Sequence, residues 1–319
     1  MIRRARALIL LVLLGVAAVA RAGEVVQAGP WELHSSFWMS LHQTLIADAM
    51  STPPQPRPEL SGEELAAWNA AVTAYRTAGG RGDMTFATPM VITTDGLTQV
   101  ADDAIDPIID APLKDALMQA APVYRRHWWT DDDRASRFFI SYAASLLRDA
   151  GESLVKAHET VYRTPWPQRV RAYVTPSAGP FGAYTMNGKS GGVITTMSCR
   201  DAGYQGFRAL EMLLHESSHA VVTPSRGTVG AAITAAAKQR GIDAPRDLWH
   251  AILFTTSGEL TRRLLAERGV AGFVPSSEEL LTRAWPKYRE PIEKNWYPYL
   301  SGQGTLEEAI DKIVSAIPR

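Results

Sequence analysis

A single cysteine, Cys199, stands in the 319 residues, so no disulfide can form within the chain and its stability has to come from a packed core. Net charge is also missing: Lys and Arg number 33 together, as do Asp and Glu, which leaves nothing to suggest a nucleic-acid surface. Past residue 22 no apolar run approaches 18 residues, so the mature chain is expected to make no stable membrane insertion. No internal repeat is visible. What remains is a chain long enough to bury one or two hydrophobic cores.

The one sustained apolar run sits at the start. Arg3, Arg4 and Arg6 make a basic opening, residues 7–19 are uncharged and apolar, and Ala20-Arg21-Ala22 offers a small-x-small cleavage site. That order predicts a secretory signal peptide over 1–22 and an exported product, periplasmic or secreted. No cysteine follows the run, so nothing points to a lipid-modified terminus.

Residues 23–165 read as a mainly helical N-terminal part. Leu33, Phe37, Leu41 and Leu45 recur every fourth residue and predict a helix over 31–50. A proline-rich connector spans 52–58, and Ser61 with Glu64 three residues on forms a capping box for the next helix. Further helices are expected near 111–120 and 133–160, with Gly151 as a point of interruption. From Trp166 the pattern changes to short strands at 169–174, 182–186 and 192–197, with an Asn187-Gly188 turn after the second. Helices then return near 229–240, 246–267, 277–285 and 306–317. The fold class is α+β: mainly helical, with a small sheet ahead of the helix at 207–219.

That helix carries His215-Glu216-Ser217-Ser218-His219, the pattern H-E-x-x-H. Residues four apart lie one above the other on one helical face, so His215 and His219 can offer two imidazoles to one metal ion. Glu216 stands about 100° round, placed to take a proton from water in an open metal position. This is the chemistry of a zinc-dependent hydrolase, with Zn2+ as cofactor and Glu216 as general base. Residues 207–214 form helices readily and contain no Pro or Gly, and Pro224 ends the run soon after His219.

In this setting the stretch resembles the zincin metallopeptidases. The resemblance implies a peptide or protein substrate and a mixed sheet before the active helix. It also implies an edge strand, expected at 193–197, that pairs with extended peptide. The longer metzincin pattern is absent, because Thr223-Pro224-Ser225 follows and no histidine appears before His250. The chain is therefore closer to the gluzincins, in which a glutamate on a later helix completes the metal site. Glu259 is the expected third ligand and His250 the alternative; nine residues separate them, about 180° round one helix, so both cannot face the same ion. An i+4 pairing of Glu259 with Arg263 is the ordinary structural role for that glutamate.

Other signals are weaker. Glu211, one turn before His215, is either a hydrogen-bond acceptor for an imidazole or a solvated residue near Arg208. Tyr184, Tyr204, Arg262, Tyr297 and Tyr299 are the groups available to stabilise an oxyanion. The acids at 102–110 and 131–133 lack the spacing and glycine of a calcium loop and read as solvated. His34 and His42 read as part of a helix face, and Cys199 as a buried thiol. The expected function is an exported zinc metallopeptidase with residues 166–319 as its catalytic part. The alternatives are a zinc-binding protein without proteolytic activity, and a zinc hydrolase acting on another amide such as a cell-wall crosslink.

Overall fold

The chain folds around a five-stranded mixed sheet whose period-two alternation decides what packs on each side. The structure, a computed structural model, describes residues 24–80, 83–102, 104, 106, 109–188, 192–224 and 227–318. The expected signal peptide lies outside them. Strand β1 (Glu24–Ala28) turns back at Gly29 into β2 (Trp31–Ser35). Five helices follow: α1 (Phe37–Met50), α2 (Gly62–Gly79), α3 (Thr88–Leu97), α4 (Lys114–His127) and the long α5 (Trp129–Tyr162). Then come β3 (Val170–Thr175), β4 (Ala183–Asn187) and β5 (Val193–Ser198). The C-terminal helices are α6 (Phe207–Ser218), α7 (Gly227–Gln239), α8 (Leu248–Glu267), α9 (Ser276–Arg283), α10 (Pro286–Leu300) and α11 (Leu306–Ala316). This is the mainly helical α+β fold that the sequence predicts.

The strand order is β1-β2-β3-β5-β4, with β2, β3 and β5 parallel and the two edge strands antiparallel. Trp31, Leu33, Val170, Ala172, Val174, Val193 and Met197 face α5, α6 and the C-terminal helices in one hydrophobic cluster. Their neighbours Tyr173, Tyr184, Met186 and Ile194 face the opposite way, into a second cluster with α1 to α4. The sheet thus separates two helical layers, and both faces of its central strands are buried.

Several expectations need correcting. The predicted helix at 31–50 is a strand followed by a helix, because Ser36 is extended and its hydroxyl caps the Met39 N–H. Gly151 does not interrupt α5; a side chain there would come 3.2 Å from the Trp31 ring, so glycine lets strand and helix approach. The expected edge strand, β5, is interior, since it lies between β3 and β4, and β4 is the edge. Helix α10 has no counterpart among the predicted elements, and it contains Pro291 and Pro298. The capping box of Ser61 and Glu64 is present as predicted. No helix among the described residues is long and apolar enough to cross a membrane.

Candidate metal centre

Helix α6 packs across β4 and β5 and against α5 and α8, which buries nearly its whole second half. Its last turn tightens: the N–H groups of His219, Ala220 and Val221 bond three residues back instead of four. His219 therefore sits at the helix end, still helical in its backbone, with its ring centroid 5.0 Å from that of His215. The chain after His219 is held by close packing. A side chain on Gly227 would meet the Val221 carbonyl at 1.9 Å, so only glycine allows α7 to begin there.

The third histidine comes from the first turn of α8. His250 Nε2 lies 3.3 Å from His215 Nε2, and the ring nitrogens of His215, His219 and His250 that can act as ligands all lie within 4.8 Å of one another. Two nitrogens bound tetrahedrally to one ion at about 2.0–2.1 Å are separated by roughly 3.3 Å, so the spacing suits a shared metal. Burial lowers the pKa of all three rings. His215 is held well below the usual histidine value, with further repulsion from His219 and His250. His219 is lowered to about 3 and His250 to about 4, the latter partly opposed by Asp247. Neutral imidazoles with free lone pairs are the form a metal requires.

His250 joins the two motif histidines, and Glu259 does not. The Glu259 carboxylate accepts hydrogen bonds from Arg262 at 2.6 and 2.7 Å and from Arg263 at 2.7 Å. Burial acts to raise its pKa, but the two guanidinium groups outweigh it and hold the carboxyl below its ordinary value. Being half a turn out of phase with His250, it necessarily points elsewhere when His250 points at α6. The threonine hydroxyls one turn back on α8 are engaged as well: Thr255 and Thr256 donate to the carbonyls four residues back. Gly258 lets α8 come close to α6, since a side chain there would come 3.0 Å from Glu211 Oε1.

Glu216 is buried, and its Oε2 accepts a 2.8 Å hydrogen bond from Thr185 Oγ1 on β4. Burial raises its pKa to about 7, against the lowering effect of that hydrogen bond. Strand β4 offers more than this hydroxyl. Ser198 N–H donates to the Gly182 carbonyl at 2.8 Å and Gly188 N–H to the Gly192 carbonyl at 3.2 Å, so the even-numbered residues of β4 form the bonded pairs with β5. The backbone N–H and C=O of Ala183, Thr185 and Asn187 point away from β5, toward the open edge.

Aromatic rings enclose the histidines. Phe254 lies over His215 at 3.6 Å between centroids, Trp249 stacks on His250 at 4.9 Å, and Trp285 approaches His250 at 5.4 Å. These rings limit how far each imidazole can turn. Deeper in, the Trp31 indole donates to Ser217 Oγ at 2.8 Å, tying β2 to the helix that carries the motif. Of these residues and Thr185, only Trp249, adjacent to His250, has a positional signal in the sequence.

Glu211 fits neither of its expected roles. It is fully buried and accepts from the Ser276 N–H at 2.9 Å, at the start of α9, while His215 Nδ1 is buried without a partner among the described residues. Burial raises the Glu211 pKa to about 7, with the Ser276 contacts and Arg208 opposing. Among the oxyanion candidates, Tyr184 accepts from Gln43 on the far face of the sheet and Tyr299 donates to the Val161 carbonyl. Arg262 is occupied by Glu259, and the Tyr297 phenol feels the Glu259 charge. Tyr204 lies near enough for Glu216 to add to the effect of burial on its phenol, and its hydroxyl donates to the Phe181 carbonyl. Asp102, Asp131, Asp132 and Asp133 each have a side-chain partner: His34, Arg134, Arg200 and Arg137. Cys199 is buried, with Ser136 at 3.7 Å.

No family model matches the chain, and no curated protein or solved structure shows significant similarity to it. What the protein does has to be argued from the site.

Proposed function

We propose that the protein is an exported zinc-dependent peptidase. The observation that carries this reading is the convergence of three imidazoles, His215 and His219 from α6 and His250 from α8, with the buried carboxylate of Glu216 directly following His215 in the chain. A zinc ion held by three histidines supplies a Lewis acid and brings the pKa of water to about 7. Glu216 is the base that takes the proton of the attacking water and passes it to the departing amine. The open edge of β4 is where an extended peptide adds as a further strand, with the backbone of Thr185 next to Glu216. Export rests on the basic start, apolar run and small-residue cleavage site of the first 22 residues.

The decisive experiment compares the mature protein with Glu216→Gln, using elemental analysis and a library of quenched fluorescent peptides. Both proteins should carry about one zinc per chain, as a single three-ligand site requires. Turnover should fall by about 10²–10⁴-fold in the variant, the contribution of a positioned base. Equal turnover would remove Glu216 from the mechanism. Zinc at full occupancy with no peptide cleaved by the wild type would make the protein a zinc binder and not a peptidase.

A further inference from the structure

Resting on that reading, the geometry points to Thr185 as a positioning residue that fixes the Glu216 carboxylate, with Thr195 behind it. Thr185 Oγ1 lies 2.8 Å from Glu216 Oε2 and 2.9 Å from Thr195 Oγ1. A hydroxyl has one proton. When Glu216 is ionised it can only accept, so the Thr185 proton goes to Oε2 and Thr195 must donate to Thr185. The chain of donation is thereby set in one direction, Thr195 to Thr185 to Glu216.

The sheet makes this arrangement rigid. Thr185 and Thr195 are directly opposite each other in the β4–β5 register, at a pair without mutual backbone hydrogen bonds, where side chains come closest. Both are β-branched and stiff about χ1, and Thr195 is completely buried. One carboxylate oxygen is thus anchored to the sheet, while no hydrogen bond from the described residues engages Oε1. Because the Thr185 backbone also faces the open edge, one residue holds the base and borders the peptide path.

The test uses the zinc-loaded mature chain with Thr185→Val, Thr185→Ser and Thr195→Val. Thr185→Val keeps the shape and removes the proton. Its kcat should fall roughly 10- to 100-fold, as expected for a lost hydrogen bond to a charged group, with KM and zinc content little changed. Thr185→Ser should recover most of the kcat, and Thr195→Val should lose less than Thr185→Val. Wild-type kcat in Thr185→Val, a change confined to KM, or no recovery with serine would each overturn the proposal. Crystal structures of wild type and Thr185→Val test the same role without any substrate: the Glu216 carboxylate should rotate in the variant, and an unmoved carboxylate overturns the positioning role. If the wild type cleaves nothing, the peptidase reading fails while the structures still decide the role of Thr185. If Thr185→Val does not fold, the kcat of Thr195→Val decides it, and an unchanged value counts against the chain.

Discussion

Two sets of histidines lie within the fold, one satisfied by protein partners and one whose rings face each other, and their contrast shows what makes an imidazole available to a metal. His42 is as buried as His215, and burial lowers its pKa to about 3, the same value as His219. Its nitrogens, however, are both used: Nδ1 faces the Tyr75 hydroxyl at 2.7 Å and Nε2 the Thr94 hydroxyl at 3.1 Å. His158 is similarly satisfied by the Leu154 carbonyl and Ser257. In the other set the His215 and His250 nitrogens face one another. Burial pushes the pKa of every one of these rings down, toward the neutral form. The difference is whether the lone pair already has a protein hydrogen to accept.

The largest effect that would test this contrast is on metal affinity. Alanine at His215, His219 or His250 should weaken zinc binding by at least about 100-fold, beyond the usual cost of losing a mere supporting partner. His42→Ala should leave affinity unchanged and instead cost about 1–3 kcal/mol of folding stability. Competition with a chelator and denaturant unfolding separate the two outcomes. Unchanged affinity in His250→Ala would dissolve the distinction between the sets.

A second test is the pH dependence of the apo protein's stability. The folded pKa of His42, about 3, lies below the unfolded value near 6.5, so the unfolded chain binds more protons between them. Stability from this source is complete above about pH 6.5 and is lost as pH falls toward 3. Glu211 has the opposite sign, with a folded pKa near 7 above an ordinary 4.5. Its contribution is present below pH 4.5 and is lost as pH rises through 7. His42→Gln should flatten the acid side of the profile and Glu211→Gln the neutral side, each by on the order of a few kcal/mol. Stability curves that keep their wild-type slopes in both variants would show that these groups do not titrate as described.

The smallest expected effect concerns Glu259. Glu259→Gln should keep full zinc occupancy and lose no more than about 1 kcal/mol, the scale of a partly exposed ion pair. A fall in zinc content would restore Glu259 to the metal site.

The motif helix is legible in the sequence because a four-residue spacing fixes which side chains share a face, whatever surrounds the helix. The third histidine is not. Sequence places His250 and Glu259 on opposite faces of α8, but which face meets α6 depends on packing between segments thirty residues apart. The neighbours Arg262 and Arg263 are the local sign that Glu259 has other partners. The positions of β3, β4 and β5 along the chain can be read nearly correctly, whereas β1 goes unread and β2 hides at the start of an apparent helix. The order of the strands in space cannot be read, since nothing local tells β5 to insert between β3 and β4. Helix α10 is hidden because its prolines remove backbone donors, a loss that tertiary packing around the buried Ile292 and Trp296 offsets.

The parallel pairing of β2 with β3 has a practical consequence for anyone dissecting the chain. Residues 166–319 hold all three histidines and Glu216, yet expressed as a fragment they would leave β3 with a bare edge where β2 belongs. They would also lack Trp31, whose indole satisfies the Ser217 hydroxyl. Such a fragment is suited to self-association, not to autonomous folding, and a split at residue 165 is better used as a complementation pair whose halves regain structure only together.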